Sequence, residues 1–306
     1  NNFENSLLDE GSALGIQTAA AIFLFSVLIF TISMMTTRLS DDLFSYYEIL
    51  FWGAGHLLQF ANIAALLSVW LILFKRLSGE PLLSPLLAKL VFGSLIFPSL
   101  AAIYFIKAGT ADPDYYSGFT LLMRWGTWPG AAIVILKILH KLFTVKKAFL
   151  DRDLEIIGIL SSALLLILGF LLGTQIQGST TLVPAHYHAT IGAVSVAFLS
   201  LSYVLLAQMN PGRGVSESPF VLKWRPKQPL IFGTGQFTFS MGFAYAGIHG
   251  LGRKVYGEEQ ILYHAEQYVG LAIMGIGGLL AICGGALYFV LLYRSGYLKP
   301  SSKVIS

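Results

Sequence analysis

The chain has 306 residues, 55% of them hydrophobic and only 12% charged, with a mean hydropathy of +0.70, which is more apolar surface than a soluble domain of this length can bury. The net charge of +4 and pI near 9.0 come from basic residues scattered through short connections, so a nucleic-acid-binding face is excluded. The lone cysteine, Cys283, excludes a disulfide framework and a thiolate metal cluster.

Eight segments, each carrying about the 20 apolar residues that a bilayer crossing requires, are predicted as transmembrane helices. They run roughly over 15–37, 45–74, 84–108, 118–142, 152–175, 182–208, 229–251 and 263–293. Turn-rich stretches such as RLSGEP, AGTADPDYY and NPGRGVSESP separate them. The expected architecture is an all-α polytopic bundle, a single transmembrane domain over residues 1–306. The opening stretch NNFENSLLDEGS is polar and acidic, without the basic n-region of a secretory signal.

In chain order, the first segment carries no titratable group in its apolar run. The second holds Glu48, His56 and Gln59, and the third holds Tyr104 near its end. The fourth has Arg124, a Trp128-Pro129-Gly130 step and His140, which sits beside Lys141 as a surface group. The fifth is apolar throughout. The sixth opens with TTLVPAHYHATIGAV, placing His186 and His188 one residue apart behind Pro184. The seventh carries Gln236 and ends at His249, followed by Arg253 and Lys254; the eighth begins at His264. Glycine-rich runs in the last helix, GIGGLL and GGAL, read as packing faces. The polar groups within the spans, Glu48, Gln59, Arg124 and Gln236, read first as interhelical hydrogen-bonding groups. No phosphate-binding glycine loop and no Ser/His/Asp arrangement is compatible with this topology.

Of the 20 basic residues, Arg38, Lys107, Arg124, Arg253 and Lys254 fall on one side of the bundle, and the other fifteen fall on the side of both termini. The positive-inside rule then puts both termini in the cytoplasm. With that orientation His56, His186 and His188 all lie in the outer half of the membrane. Two positions along an α-helix are a rotation of about 200°, so His186 and His188 point to nearly opposite faces and cannot share one metal ion. They suit two cofactors, one on each side of the helix, because a neutral imidazole is an axial ligand to haem iron. The alternative is a pair of interhelical hydrogen bonds.

The run LLLILGFLLGTQIQGSTTLVPAHYHATIGAVSVAFLSLSYVLL resembles the ninth and tenth helices of the catalytic subunit of haem-copper oxidases and nitric oxide reductases. That resemblance implies that His186 ligates a high-spin haem and His188 a low-spin haem. EILFWGAGHLLQF resembles the family's sixth helix, making His56 a vestigial ligand of the active-site copper. GTWPGAAIVILKILH resembles the eighth helix, and FTFSMGFAYAGIHGLGRKVY the eleventh, with Arg253 and Lys254 matching the pair that contacts haem propionates. His249 would face a haem edge or propionate. By this resemblance the chain corresponds to helices five to twelve of the family.

The departures shape the expectation. The adjacent histidine pair that completes the copper site would fall near Ile103 and Tyr104, where SLIFPSLAAIYFIKAG has no histidine, and one imidazole is a poor copper site. Tyr104 would be the stand-in proton and electron donor. The tyrosine that follows the sixth-helix histidine in common oxygen reductases is Phe60 here. The resemblance therefore implies a redox subunit of a respiratory membrane complex with one or two b- or a-type haems and no complete copper site. It would carry electrons or reduce a small gas, O2 or NO. Its partners would be a second membrane subunit supplying the missing helices and a low-spin haem ligand, and a cytochrome c or multihaem protein at the outer face. The alternative is a non-catalytic membrane anchor within a larger complex.

Overall fold

The computed structural model describes residues 7–39, 42–144, 153–209, 218–255, 257 and 261–295. Among these the chain is all-α, with one isolated antiparallel bridge between Thr180 and Gly252. The helices are α1 (Glu10–Thr36), α2 (Leu43–Ser78), α3 (Pro85–Ala101), α4 (Tyr115–Gly126), α5 (Trp128–Thr144), α6 (Asp153–Thr174), α7 (Leu182–Met209), α8 (Pro219–Trp224), α9 (Gln228–Ile248) and α10 (Ala265–Arg294). All eight expected segments are helical. Among the described residues, seven spans are long and apolar enough to cross a membrane, with α4 and α5 together forming one of them. The remaining segment, the seventh in chain order, is α9, a 21-residue helix outside that set; Gln228, Thr234, Gln236, Thr238 and Ser240 dilute its apolar content.

Two compact units make up the chain, Asn1–Lys146 and Lys147–Ser306. In the first, α2 is the central helix. Its buried residues include Leu57, Phe60, Leu67, Trp70 and Leu73, and between Ala64 and Phe74 the burial runs almost all round the helix. Asp42 caps the start of α2 on the Phe44 amide, and Gly79, at φ 78°, closes its end. The Ser45 hydroxyl beside Asp42 holds that carboxyl below the usual carboxylate range. The N-terminus of α1 is secured by a capping box between Asp9 and Ser12, so the helix starts five residues before the sequence pattern suggests.

Two expected helices end or break differently. The 84–108 segment stays α-helical only to Ala101 and continues as 3₁₀ turns at Tyr104–Ile106 and Gly109–Ala111, because Pro98 removes a backbone donor within the last turn. The 118–142 segment begins at Tyr115 and is interrupted at Thr127, between α4 and α5. Pro129 cannot donate back to Trp125, and Gly126 lies against the Phe60 ring, where an added Cβ would come within 2.6 Å.

In the second unit, α9 and α10 pack backbone against backbone. Gly270, Gly277 and Gly284 face Ala246, Phe239 and Phe232, both series stepping by seven residues in opposite directions. A Cβ at Gly270 would meet the Ala246 nitrogen at 2.7 Å, and one at Gly284 would meet the Phe232 nitrogen at the same distance. In lipid, where no hydrophobic force drives helices together, such close approach supplies the packing. A repeat of seven keeps one seam facing the partner along the whole length. Buried Gln228 fixes the far end, donating to the Gly284 carbonyl at 3.0 Å and accepting from the Tyr203 hydroxyl at 3.4 Å. The Ser162 hydroxyl donates to the Ala193 carbonyl at 2.7 Å, joining α6 to α7.

A single methyl group tests the seam. Gly277→Ala is expected to lower the unfolding temperature in detergent, by about 1–3 kcal/mol of overpacking. Gly275→Ala, where an added Cβ meets nothing within 4 Å, is expected to leave it unchanged or raise it, since alanine is the better helix former by about 1 kcal/mol. Equal unfolding temperatures for the two variants would show that the seam is not close-packed.

Candidate functional site

The candidate site in the second unit lies at the end where the loop before α7 meets the loop after α9. Thr181 donates its amide to the Leu251 carbonyl at 2.9 Å, Arg253 donates its amide to the Ser179 carbonyl at 3.0 Å, and Thr180 bridges to Gly252. The Thr181 hydroxyl reaches the Phe243 carbonyl at 2.9 Å, tying the start of α7 to α9. Gly247 permits this, because a Cβ there would come within 2.6 Å of the Leu182 nitrogen. His186, His188, His249, Arg253 and Lys254 are thereby gathered at one end of the unit.

His186 and His188 are both half-buried and face different helices. His186 turns to α6, where its Nδ1 donates to the Gly169 carbonyl at 2.6 Å. A carbonyl can only accept, so the neutral ring carries its proton on Nδ1 and keeps its lone pair on Nε2. Gly173, one turn further along α6, makes room for the ring: a Cβ there would lie 2.9 Å from Nδ1. The two glycines form the cradle between them: Gly169 lets α7 come close, since a Cβ there would run into Thr190 Cγ2, and Gly173 leaves the space for the ring. An N–H given to a backbone carbonyl is the orienting contact that metal-ligating histidines use.

His188 turns to α9. The edge of Phe239 stands 4.7 Å from its ring centroid, with Phe243 at 6.2 Å and Tyr187 at 5.2 Å. No described residue hydrogen-bonds to the His188 ring. Two histidines on one helix are thus differently equipped, one held by a carbonyl and one held by aromatic edges.

His249 caps the end of α9, its ring lying on Tyr245 at 4.7 Å. Its Nδ1 is buried with no partner among the described residues, while its carbonyl accepts from buried Gln267 at 2.8 Å. Arg253 is half-buried, and its Nε donates to the Ser179 hydroxyl at 2.9 Å. Lys254 is exposed on left-handed backbone at φ 60°, an uncommon state for a side chain of this kind. Glu258 and Glu259, the acidic residues nearest in sequence to that pair, lie outside the described residues. His264 is exposed at the start of α10.

In the first unit, His56 is half-buried on α2. Its Nδ1 donates to the Trp52 carbonyl at 2.7 Å, and its ring lies 4.5 Å from that indole. Phe60 is fully buried against Gly126, a core side chain with no polar role. Tyr104 is 56% exposed, its ring beneath the Lys107 ammonium at 3.8 Å. Gln59 accepts from Asn62 at 3.5 Å, Gln236 packs over Gly192, and Arg124 and His140 are exposed. Within each unit, no three described His, Cys, Asp or Glu side chains cluster as a metal site.

Sequence reasoning missed the glycine cradle on α6 and the phenylalanine wall on α9. The first had a signal, the Gly-x-x-x-Gly spacing of 169 and 173 within the last two turns of α6; the second had none.

No family model matches the chain. A protein of Aquifex aeolicus, described as uncharacterized, is 31% identical over 183 residues, covering 60% of this chain and 44% of the relative. An uncharacterized protein of Rickettsia prowazekii is 23% identical over 292 residues, covering 85% of this chain and 56% of the relative. The chain therefore spans about half the length of these relatives. Among solved structures, a chain of a heme-copper terminal oxidase dimer superposes with a TM-score of 0.65 at 15% identity, covering 95% of this chain and 57% of that one. At that identity the likeness is one of fold, and the fold is that of a haem-copper oxidase helical bundle.

The cradle is testable by a reversal of sign. Gly173→Ala is expected to destabilise the protein by about 1–3 kcal/mol, because the new methyl group displaces the His186 ring. In a His186→Ala background the same change is expected to be neutral or stabilising by up to about 1 kcal/mol. A destabilisation of equal size in both backgrounds would show that the glycine does not serve the imidazole.

Proposed function

We propose that the chain is a haem-binding redox subunit of a respiratory membrane complex, with His186 and His188 as axial ligands on opposite faces of α7. The observation that carries this reading is the His186 ring, seated in the Gly169/Gly173 cradle with its proton on Nδ1 and its lone pair on Nε2. The haem-copper oxidase fold supports it independently. A bound haem would supply a one-electron iron centre, with a gas-binding position if its sixth site is open. The chain's own residues hold the ring, exclude water through the Phe239 and Phe243 edges, and present cations at the same end of the unit.

His188 fits less fully than His186. It lacks an orienting hydrogen bond, and Phe239 stands against its ring. That observation favours a second form of the reading, in which one haem is bound at His186 and His188 is a packing residue. Arg253 and Lys254 would offset propionate charge through charge-assisted bonds. The copper site is read as incomplete, with His56 a remnant of it and Tyr104 the candidate donor. By the positive-inside rule both termini lie in the cytoplasm. A second membrane segment carrying a histidine in the outer half, from a partner subunit or another part of the same protein, would complete the coordination at His188. A cytochrome c or multihaem protein would dock at the outer face.

Reduced-minus-oxidised spectra of the complex purified in mild detergent decide the matter. A Soret shift is expected, lost from the high-spin component in His186→Ala and from the low-spin component in His188→Ala. The absence of any Soret band in the intact complex would favour a structural anchor instead, and loss in His186→Ala alone would favour the one-haem form. Arg253→Gln is expected to lower the haem midpoint potential, because the oxidised iron carries more positive charge and is then less disfavoured. The shift is about 60 mV for each 1.4 kcal/mol of lost interaction. An unchanged potential would assign Arg253 to protein contacts, its Ser179 bonds among them.

A further inference from the structure

We propose that Tyr115 is a positioning residue for His56, acting through a hydroxyl inserted into the backbone of α2 one turn before that histidine. The Tyr115 hydroxyl donates to the Ile49 carbonyl at 2.9 Å and accepts from the Gly53 amide at 3.0 Å. In an undisturbed α-helix these two groups bond to each other. A third partner, the Ser33 hydroxyl of α1, lies 3.3 Å away. One donor and two lone pairs meet those three partners, with Ser33 donating. A side chain placed in the helical ladder is a known cause of a local bend.

The local sequence makes this approach possible. Tyr115 is fully buried, and position 53 is glycine; a Cβ there would stand 3.0 Å from the Phe119 ring and 3.1 Å from the Tyr115 ring. The next residue adds a second tie, since the Tyr116 carbonyl accepts from the Trp52 indole N–H at 3.3 Å, with the two rings 4.9 Å apart. Trp52 in turn holds His56, accepting from its Nδ1 at 2.7 Å. The start of α4 therefore grips two consecutive residues of α2, and one of them fixes the imidazole. Movement of the 109–115 connection is transmitted to His56, whatever group that histidine serves. A buried tyrosine that only staples three helices would contribute stability without setting the ring.

Nitrogen-15 NMR of histidine-labelled full-length chain in nanodiscs separates the two roles, with His56 assigned by its loss in His56→Ala. The wild-type ring is expected to show the single-tautomer pattern of a protonated Nδ1. Tyr115→Phe, which removes only the hydroxyl, is expected to replace that pattern with an averaged one while the His186 signals stay in place. An unmoved His56 pattern in a Tyr115→Phe protein of lowered unfolding temperature overturns the proposal and leaves a staple. Should Tyr115→Phe fail to fold, Ser33→Ala removes the third partner of the Tyr115 hydroxyl and leaves Trp52 and its carbonyl in place. A shift of the same sign is expected, a narrowed separation of the two His56 nitrogens, and an unmoved separation overturns the proposal as well.

Discussion

An imidazole N–H inside a membrane helix is costly unless a protein group accepts it, since hydrocarbon offers no acceptor. At His186 the acceptor is a backbone carbonyl, that of Gly169, on the neighbouring helix. Much else in the second unit follows from that contact. Helix α6 must come close enough for a carbonyl to be reached, which requires glycine at 173. Helix α7 must be held in rotation, which the Ser162 bond to the Ala193 carbonyl secures two turns further on. With the rotation fixed, His188 is carried to the α9 side, and the loop clip at Thr180 and Gly252 brings Arg253 to the same end.

The same economy of close backbones operates between α9 and α10, where glycines every seventh residue replace the side-chain interlock of a soluble core. Helices in lipid gain nothing by hiding leucine from lipid, so contact has to come from shape. That is why large apolar side chains on α10, such as Ile276, Leu279 and Ile282, stay exposed while Gly270, Gly277 and Gly284 are buried against α9.

Much of this was legible in the sequence, and the limits have physical causes. Apolar run length announced every segment, because a bilayer fixes how long such a run must be. The angular separation of His186 and His188 followed from helical geometry alone, and the structure turns them to α6 and α9. The break at Thr127 was not legible: a Pro-Gly step inside a helix is tolerated in membranes, and only the closeness of Phe60 to Gly126 shows that this one interrupts the helix. Phe239 and Phe243 carried no pattern that would mark them as a histidine's wall. The Tyr115 contacts bridge 62 and 66 residues of sequence, a distance over which periodicity says nothing.

Helix α9 shows how the membrane's rule on polar groups is met without apolar composition. It is the expected span whose polar content keeps it out of the apolar set, yet two of its polar residues are buried. Gln228 is fully buried and bonded at both ends of its amide, and Ser240 is fully buried. Two buried atoms on this helix, the Ser240 hydroxyl and His249 Nδ1, have no partner among the described residues. An unmet polar atom in a dry interior costs about 1–3 kcal/mol. Ser240 lies within α9 and His249 closes its end, so this helix carries polar groups that the described protein contacts do not satisfy.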